Sequence, residues 1–211
     1  MKRLLDEGLE KLTNMILDMA SISSKVVELA IDGYVSGRDV SKEVFQTAQQ
    51  LRILEDEVVE LGMELIARYQ PVASDLRYIR SCMEIAYGFL RYGRYAYDIS
   101  QVLSMFGDLR ECKKDIVQET GKKVCEMIRM SVTAFKNRDV ELAKKLELMD
   151  DEIDEAYVEF VKQAIENPLS GKKCDISITL ILRYLERIAD HATYIGESVE
   201  YIITGERAYR R

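Results

Sequence analysis

The sequence predicts an all-α protein: six long antiparallel helices forming two tandem three-helix bundles that arose by internal duplication. Three observations carry this. Apolar residues recur at three- and four-residue spacing along nearly the whole chain, the signature of amphipathic helices. The 211 residues include only 2 Pro and 11 Gly, too few for the many turns of an all-β protein. Segments of the first half also reappear in the second.

The first helix is traced by Leu5, Leu9, Leu12, Ile16, Met19, Ile22, Val26, Leu29 and Ala30, and it breaks at Gly33 to Gly37. Asp39 or Ser41 is the expected cap of a second helix that runs to about Tyr69. Pro71 marks a turn, and a third helix follows, capped by Ser74 or Asp75 and ended near Met105 by Gly107-Asp108. A fourth runs from about Leu109 to Phe135, and a fifth from Val140 to Glu166 after the break at Lys136-Asn137-Arg138. The segment Asn167-Pro168-Leu169-Ser170-Gly171 is the clearest loop, and a sixth helix extends from about Asp175 to Ile203. Helices of ~25–35 residues, or ~40–50 Å, persist only by burying a stripe against neighbours. The third is apolar on two sides: Ile79, Met83, Ala86 and Leu90 on one, Ile85, Phe89, Tyr92 and Leu103 on the other. It therefore packs on two neighbours, either the other half or another subunit.

The duplication places repeats at 1–106 and 107–211. Arg38-Asp39-Val40 recurs as Arg138-Asp139-Val140, and Pro71 matches Pro168. Arg91, Ala96 and Ile99 match Arg187, Ala192 and Ile195 at a constant offset.

The formal net charge of −7 lacks the basic surface of a bulk nucleic-acid binder. The opening Met1-Lys2-Arg3-Leu4-Leu5-Asp6-Glu7 carries acids where a signal peptide needs an apolar core. The strongest apolar stretch, Ile176 to Leu182, is too short to span a bilayer. These features predict a cytoplasmic protein that meets membranes only through partners. The cysteines Cys82, Cys112, Cys125 and Cys174 show neither Cys-x-x-Cys nor zinc-ligand spacing, and are expected to be reduced thiols.

The strongest candidate site is Leu185-Glu186-Arg187-Ile188-Ala189-Asp190-His191-Ala192. Glu186 and Asp190 lie one turn apart, flanking a stripe of Leu185, Ala189, Ala192 and Val199. On the preceding helix Asp150 and Asp154 repeat that spacing beside Leu142, Leu146, Met149, Ile153 and Phe160. If the two helices pack antiparallel, the pairs face one another. Converging carboxylates raise their own pKa values or take up a hard cation; the alternative is a solvated acidic face, which Glu147, Asp151, Glu152 and Glu155 would extend. His191, the single histidine, reads as a helix-exposed bystander or a peripheral metal ligand; a phosphotransfer histidine usually has Lys at the third position beyond it, where Tyr194 stands. A ferritin-like di-iron oxidase requires Glu-x-x-His motifs, and none is present. No nucleophile arrangement or phosphate-cradling Gly loop points to an enzyme.

Two segments resemble the PhoU family of phosphate-signalling proteins. One is Gln70-Pro71-Val72-Ala73-Ser74-Asp75-Leu76-Arg77; the other is Glu186-Arg187-Ile188-Ala189-Asp190-His191-Ala192-Thr193-Tyr194-Ile195-Gly196-Glu197. With the duplicated plan the resemblance covers the whole chain. It implies paired three-helix bundles, frequent dimerisation and no enzymatic activity. It implies a regulator that couples a phosphate ABC transporter and its ATPase to a sensor histidine kinase. It also implies carboxylate-bound metal, such as iron, Mn or Mg, held by Asp150, Asp154, Glu186 and Asp190 in the second repeat only. In the first repeat Glu55, Val59, Leu90 and Arg94 occupy the corresponding positions, so three of the four carboxylates are gone. Arg91, Arg94, Tyr87, Tyr92, Tyr95 and Tyr97 cover that surface, either as a contact face for a partner or anion, or as ordinary packing with wet hydroxyl tips.

Overall fold

The computed structural model describes residues 3–207; Met1 and Lys2 of the opening segment lie outside the described residues. Six helices follow one another: α1 (Leu4–Ser36), α2 (Ser41–Tyr69), α3 (Ala73–Phe106), α4 (Asp115–Asn137), α5 (Val140–Glu166) and α6 (Lys172–Thr204). Helices α1, α2 and α3 pack on one another, as do α4, α5 and α6. Two seams, α3 on α6 and α1 on α4, join the bundles. The second apolar side of α3 is thus covered by the other half of the same chain. Residues of all six helices form one continuous apolar core.

Core positions follow the sequence stripes. Leu12, Ile16 and Met19 of α1 are fully buried, as are Leu146 and Ile153 of α5 and Leu185, Ala189 and Ala192 of α6. Burying each of the Leu, Ile and Met side chains contributes roughly 1.5–3 kcal/mol, which is what sustains helices of this length. Tyr92 departs from the wet-tip expectation: its ring is wholly buried, and that burial raises its hydroxyl pKa.

Helix starts diverge from the sequence in three places. Asp139 caps α5 as its twin Asp39 was expected to cap α2, accepting a hydrogen bond from the Leu142 N–H at 2.9 Å. Asp39 instead turns the chain one step earlier, accepting from the Ser41 N–H at 2.9 Å and its hydroxyl at 2.7 Å. Neither Ser74 nor Asp75 caps α3, which begins at Ala73; Asp75 pairs with Arg3 at 3.2 Å and ties α3 to the start of α1. The fourth helix begins at Asp115, not Leu109, because residues 107–114 are held as a loop. Lys114 donates to the Tyr34 carbonyl at 2.8 Å, Lys173 to the Asp108 carbonyl at 2.8 Å, and Cys112 is bonded to Cys174.

That disulfide corrects the reduced-thiol expectation for two of the four cysteines; Cys82 and Cys125 remain free. A separation of 62 residues gives no spacing signal, and only the return of α6 to the inter-repeat loop brings the sulfurs together. Among the described residues no helix is long and apolar enough to cross a membrane.

Candidate functional site

The fold brings Asp150, Asp154, Glu186 and Asp190 to the same α5–α6 face. Helices α5 and α6 are packed neighbours, and the four acids feel one another's charge. Burial pushes the Asp150 carboxyl up to about 7, and the charges of Asp190, Asp154 and Glu186 add to that rise. Burial also raises Glu186 and Asp190, with nearby arginines opposing the rise in both. Asp154, the most exposed of the four, is raised as well. Two oxygens, Asp150 Oδ1 and Glu186 Oε2, are buried without a hydrogen-bond partner.

These residues do not form the expected metal centre. Among the described residues no group of three or more His, Cys, Asp and Glu side chains is placed to hold a metal ion. The physical reason lies on α6 itself. Arg183 stands one turn before Glu186 and donates to its Oε1 at 2.6 Å. Arg187 stands one turn before Asp190 and lies 3.4 Å from its Oδ2. The guanidinium groups supply positive charge to the two α6 acids, which a metal was expected to draw together with Asp150 and Asp154. The iron, Mn or Mg expectation for the second repeat is therefore withdrawn. Sequence reasoning named Arg187 only as part of the motif and the repeat and did not consider Arg183, although their three-residue spacing from the two acids was a readable signal.

In the first repeat Arg94 takes the place of Asp190 and pairs with Asp98 at 3.3 Å. Arg91 lies across the Tyr95 ring, 4.7 Å from its centroid, and donates to its hydroxyl at 2.5 Å. The α3 surface is thus a set of arginine–tyrosine and arginine–aspartate contacts.

His191 is not an exposed bystander. Its ring is half-buried against three tyrosines, with centroids 6.3 Å from Tyr87, 5.9 Å from Tyr95 and 5.5 Å from Tyr194. Burial, and then the charges of Arg91 and Arg187, push its pKa down to about 4, so the imidazole is neutral at physiological pH. Tyr95 and His191 occupy equivalent places in the two repeats and touch across the α3–α6 seam.

Comparison with known proteins matches the PhoU domain twice, over residues 16–103 and 117–199. The chain belongs to the PhoU family. A PhoU homolog of Archaeoglobus fulgidus, described as a phosphate-specific transport system accessory protein, is 27% identical over 209 residues and is aligned over 99% of each chain. A Pseudomonas putida PhoU homolog with the same description is 30% identical, covering 93% of this chain and 79% of its own. The crystal structure of PhoU from Pseudomonas aeruginosa superposes with a TM-score of 0.86 at 28% identity, over 95% of this chain and 99% of that one. The PhoU crystal structure from Streptococcus pneumoniae shares the fold, with a TM-score of 0.87 at 19% identity, over 98% of this chain and 100% of that one. The two PhoU matches fall one in each half, as the internal repeats of the sequence require. PhoU proteins are regulators, not catalysts.

Proposed function

We propose that this chain is a cytoplasmic, non-enzymatic regulator of phosphate uptake and phosphate-starvation signalling. It docks on the ATPase of a phosphate ABC transporter and on a sensor histidine kinase. The observation that carries this reading is the double PhoU match, backed by full-length relatives described as phosphate-specific transport system accessory proteins. Two units, 1–106 and 107–211, provide two related faces, and a homodimer would double them. We assign partner contact to the α5–α6 face of Asp150, Asp154, Glu186 and Asp190, where Arg183 and Arg187 pair with Glu186 and Asp190. In the cytoplasm the Cys112–Cys174 bridge would be exposed to thiol reductants.

A second reading is a divergent paralogue that scaffolds or regulates another transporter or channel. It is favoured by Val59, Leu90 and Arg94, which replace the first repeat's carboxylates. Capture of partners by the tagged chain from phosphate-replete and phosphate-starved cells separates the two. The first reading expects a phosphate-transporter ATPase, with capture lost in an Arg187→Glu, Asp190→Arg variant. Recovery of a different transporter or a channel in its place would establish the second.

A further inference from the structure

The strap of residues 107–114 joins the two repeats and lies on the surface. Asp108, Arg110 and Lys113 are exposed, while Leu109 and Cys112 are tucked beneath them. Three consecutive residues in the first turn of α6 hold the loops around it. Lys173 donates to the Asp108 carbonyl at 2.8 Å, and Cys174 is bonded to Cys112. The Asp175 carboxylate accepts from the Leu169 and Ser170 N–H groups at 3.1 and 3.0 Å. From the other side Lys114 donates to the Tyr34 and Val35 carbonyls at the end of α1, at 2.8 and 3.2 Å. One covalent bond thus fastens the strap, backed by two lysine hydrogen-bond ties and the burial of Leu109.

The two sulfurs are unequal leaving groups. Cys174 is the third residue of the 33-residue helix α6, where unpaired N–H groups and the helix dipole stabilise a thiolate. Lys172 and Lys173 precede it, and the acid beside it, Asp175, is turned to the loop N–H groups. Cys112 lies outside any helix, between the exposed Glu111 and Lys113. The other two thiols stand apart from this chemistry. Burial pushes Cys82 and Cys125 up to about 12, so neither supplies a thiolate to reshuffle the bond.

We propose that the Cys112–Cys174 bond is a thiol–disulfide exchange site for a protein dithiol, whose action unfastens the 107–114 strap while the six helices stay folded. A thiolate of the dithiol attacks Cys112 Sγ, the S–S bond breaks, and Cys174 leaves as a thiolate and takes up a proton. The second thiol of the dithiol then attacks its own sulfur in the mixed disulfide, and Cys112 leaves and is protonated. Two electrons pass to the protein, and the dithiol becomes a disulfide. The reverse exchange with an oxidised dithiol refastens the strap. The apolar core runs through all six helices, so their packing outlasts the bond. The site does not depend on the phosphate-regulation reading.

The full isolated chain, oxidised, is incubated with thioredoxin kept reduced by its reductase and NADPH. New thiols are located by alkylation and mass spectrometry, and hydrogen exchange is followed in parallel. Without denaturant, Cys112 and Cys174 should both become alkylated within minutes. Exchange at 107–114 should rise at least about tenfold, and exchange in the buried middle of α3 and α6 should stay unchanged. In Cys112→Ser, alkylation of Cys174 should have a midpoint about one pH unit below that of Cys112 in Cys174→Ser. Equal or reversed midpoints overturn the assignment of Cys174 as the leaving sulfur. Reduction that needs denaturant, that leaves exchange at 107–114 unchanged, or that unfolds the whole chain overturns the proposal. Four free thiols after treatment with oxidised glutathione do so as well.

Discussion

On α3, Arg94 lies 3.3 Å from Asp98; at the corresponding turn of α6, Arg187 lies 3.4 Å from Asp190, and Arg183 lies 2.6 Å from Glu186. The two repeats share a helical plan and reach charge balance by different routes. In the first repeat the acid at the Asp190 position has become the cation itself. In the second the acids remain, and arginines one turn earlier pair with Glu186 and Asp190, while Asp150 keeps a buried oxygen without a partner. Burial separates the consequences. The Glu186 side chain is 10% exposed and its partner Arg183 38%, against 21% for Asp98 and 61% for Arg94, so the Arg183–Glu186 pair of the second repeat is the more buried and its pairing matters more to stability. The second repeat alone also has a disulfide, and it alone has a histidine, in the place where the first has Tyr95.

The disulfide gives the largest expected effect. A closed loop of this length corresponds to about 4 kcal/mol of stability on chain-entropy grounds. The Cys112→Ser, Cys174→Ser variant should therefore lose about that much in denaturant unfolding. Hydrogen exchange should rise first at residues 107–114 and the opening of α6. A loss below about 1 kcal/mol would mean that the staple does not distinguish the halves.

The histidine comes next. Its folded pKa of about 4 lies below the unfolded value of 6.5. The folded state disfavours the proton, so the contribution is fully present above pH 6.5 and is lost as pH falls through 4. It is at most about 3 kcal/mol, and less once its partial exposure is allowed for. His191→Gln should flatten that limb of the stability–pH curve. A proton NMR titration of the single imidazole with a midpoint above 6 would show that the three tyrosines do not enclose it. Asp150 runs the opposite way. Its carboxyl is raised to about 7, so stability present below pH 4 is lost as pH rises through 7, and Asp150→Asn should remove that loss.

The arginines give the smallest effect and the most direct comparison. Arg183→Met leaves Glu186 Oε1 without its donor and should cost about 1–2 kcal/mol. Arg94→Met removes the exposed partner of a half-buried Asp98 and should cost less than about 1 kcal/mol. Equal costs in paired unfolding measurements would erase the distinction between the repeats.

The helices and their buried stripes were legible because a 3.6-residue period states which face is covered, whatever covers it. The start of α4 was not, because the loop at 107–114 is held by Lys114, Lys173 and Cys174, which reach it from elsewhere in the sequence or act across it. The carboxylate face was legible as four acids at helical spacing. Its chemistry was misread, because the spacing of Arg183 and Arg187 had to be weighed against that of the acids. The aromatic cluster around His191 was not legible at all. Tyr87 and Tyr194 are more than a hundred residues apart, and nothing local links them.

By itself the sequence determined that the chain would be helical, duplicated and of the PhoU family, because periodicity and motif are local properties of a chain. Tertiary structure decided which charges meet, which thiols bond and which rings enclose His191. Those outcomes depend on distances between segments that covalent order leaves free, and only the packing of α3 on α6 and of α5 on α6 fixes them.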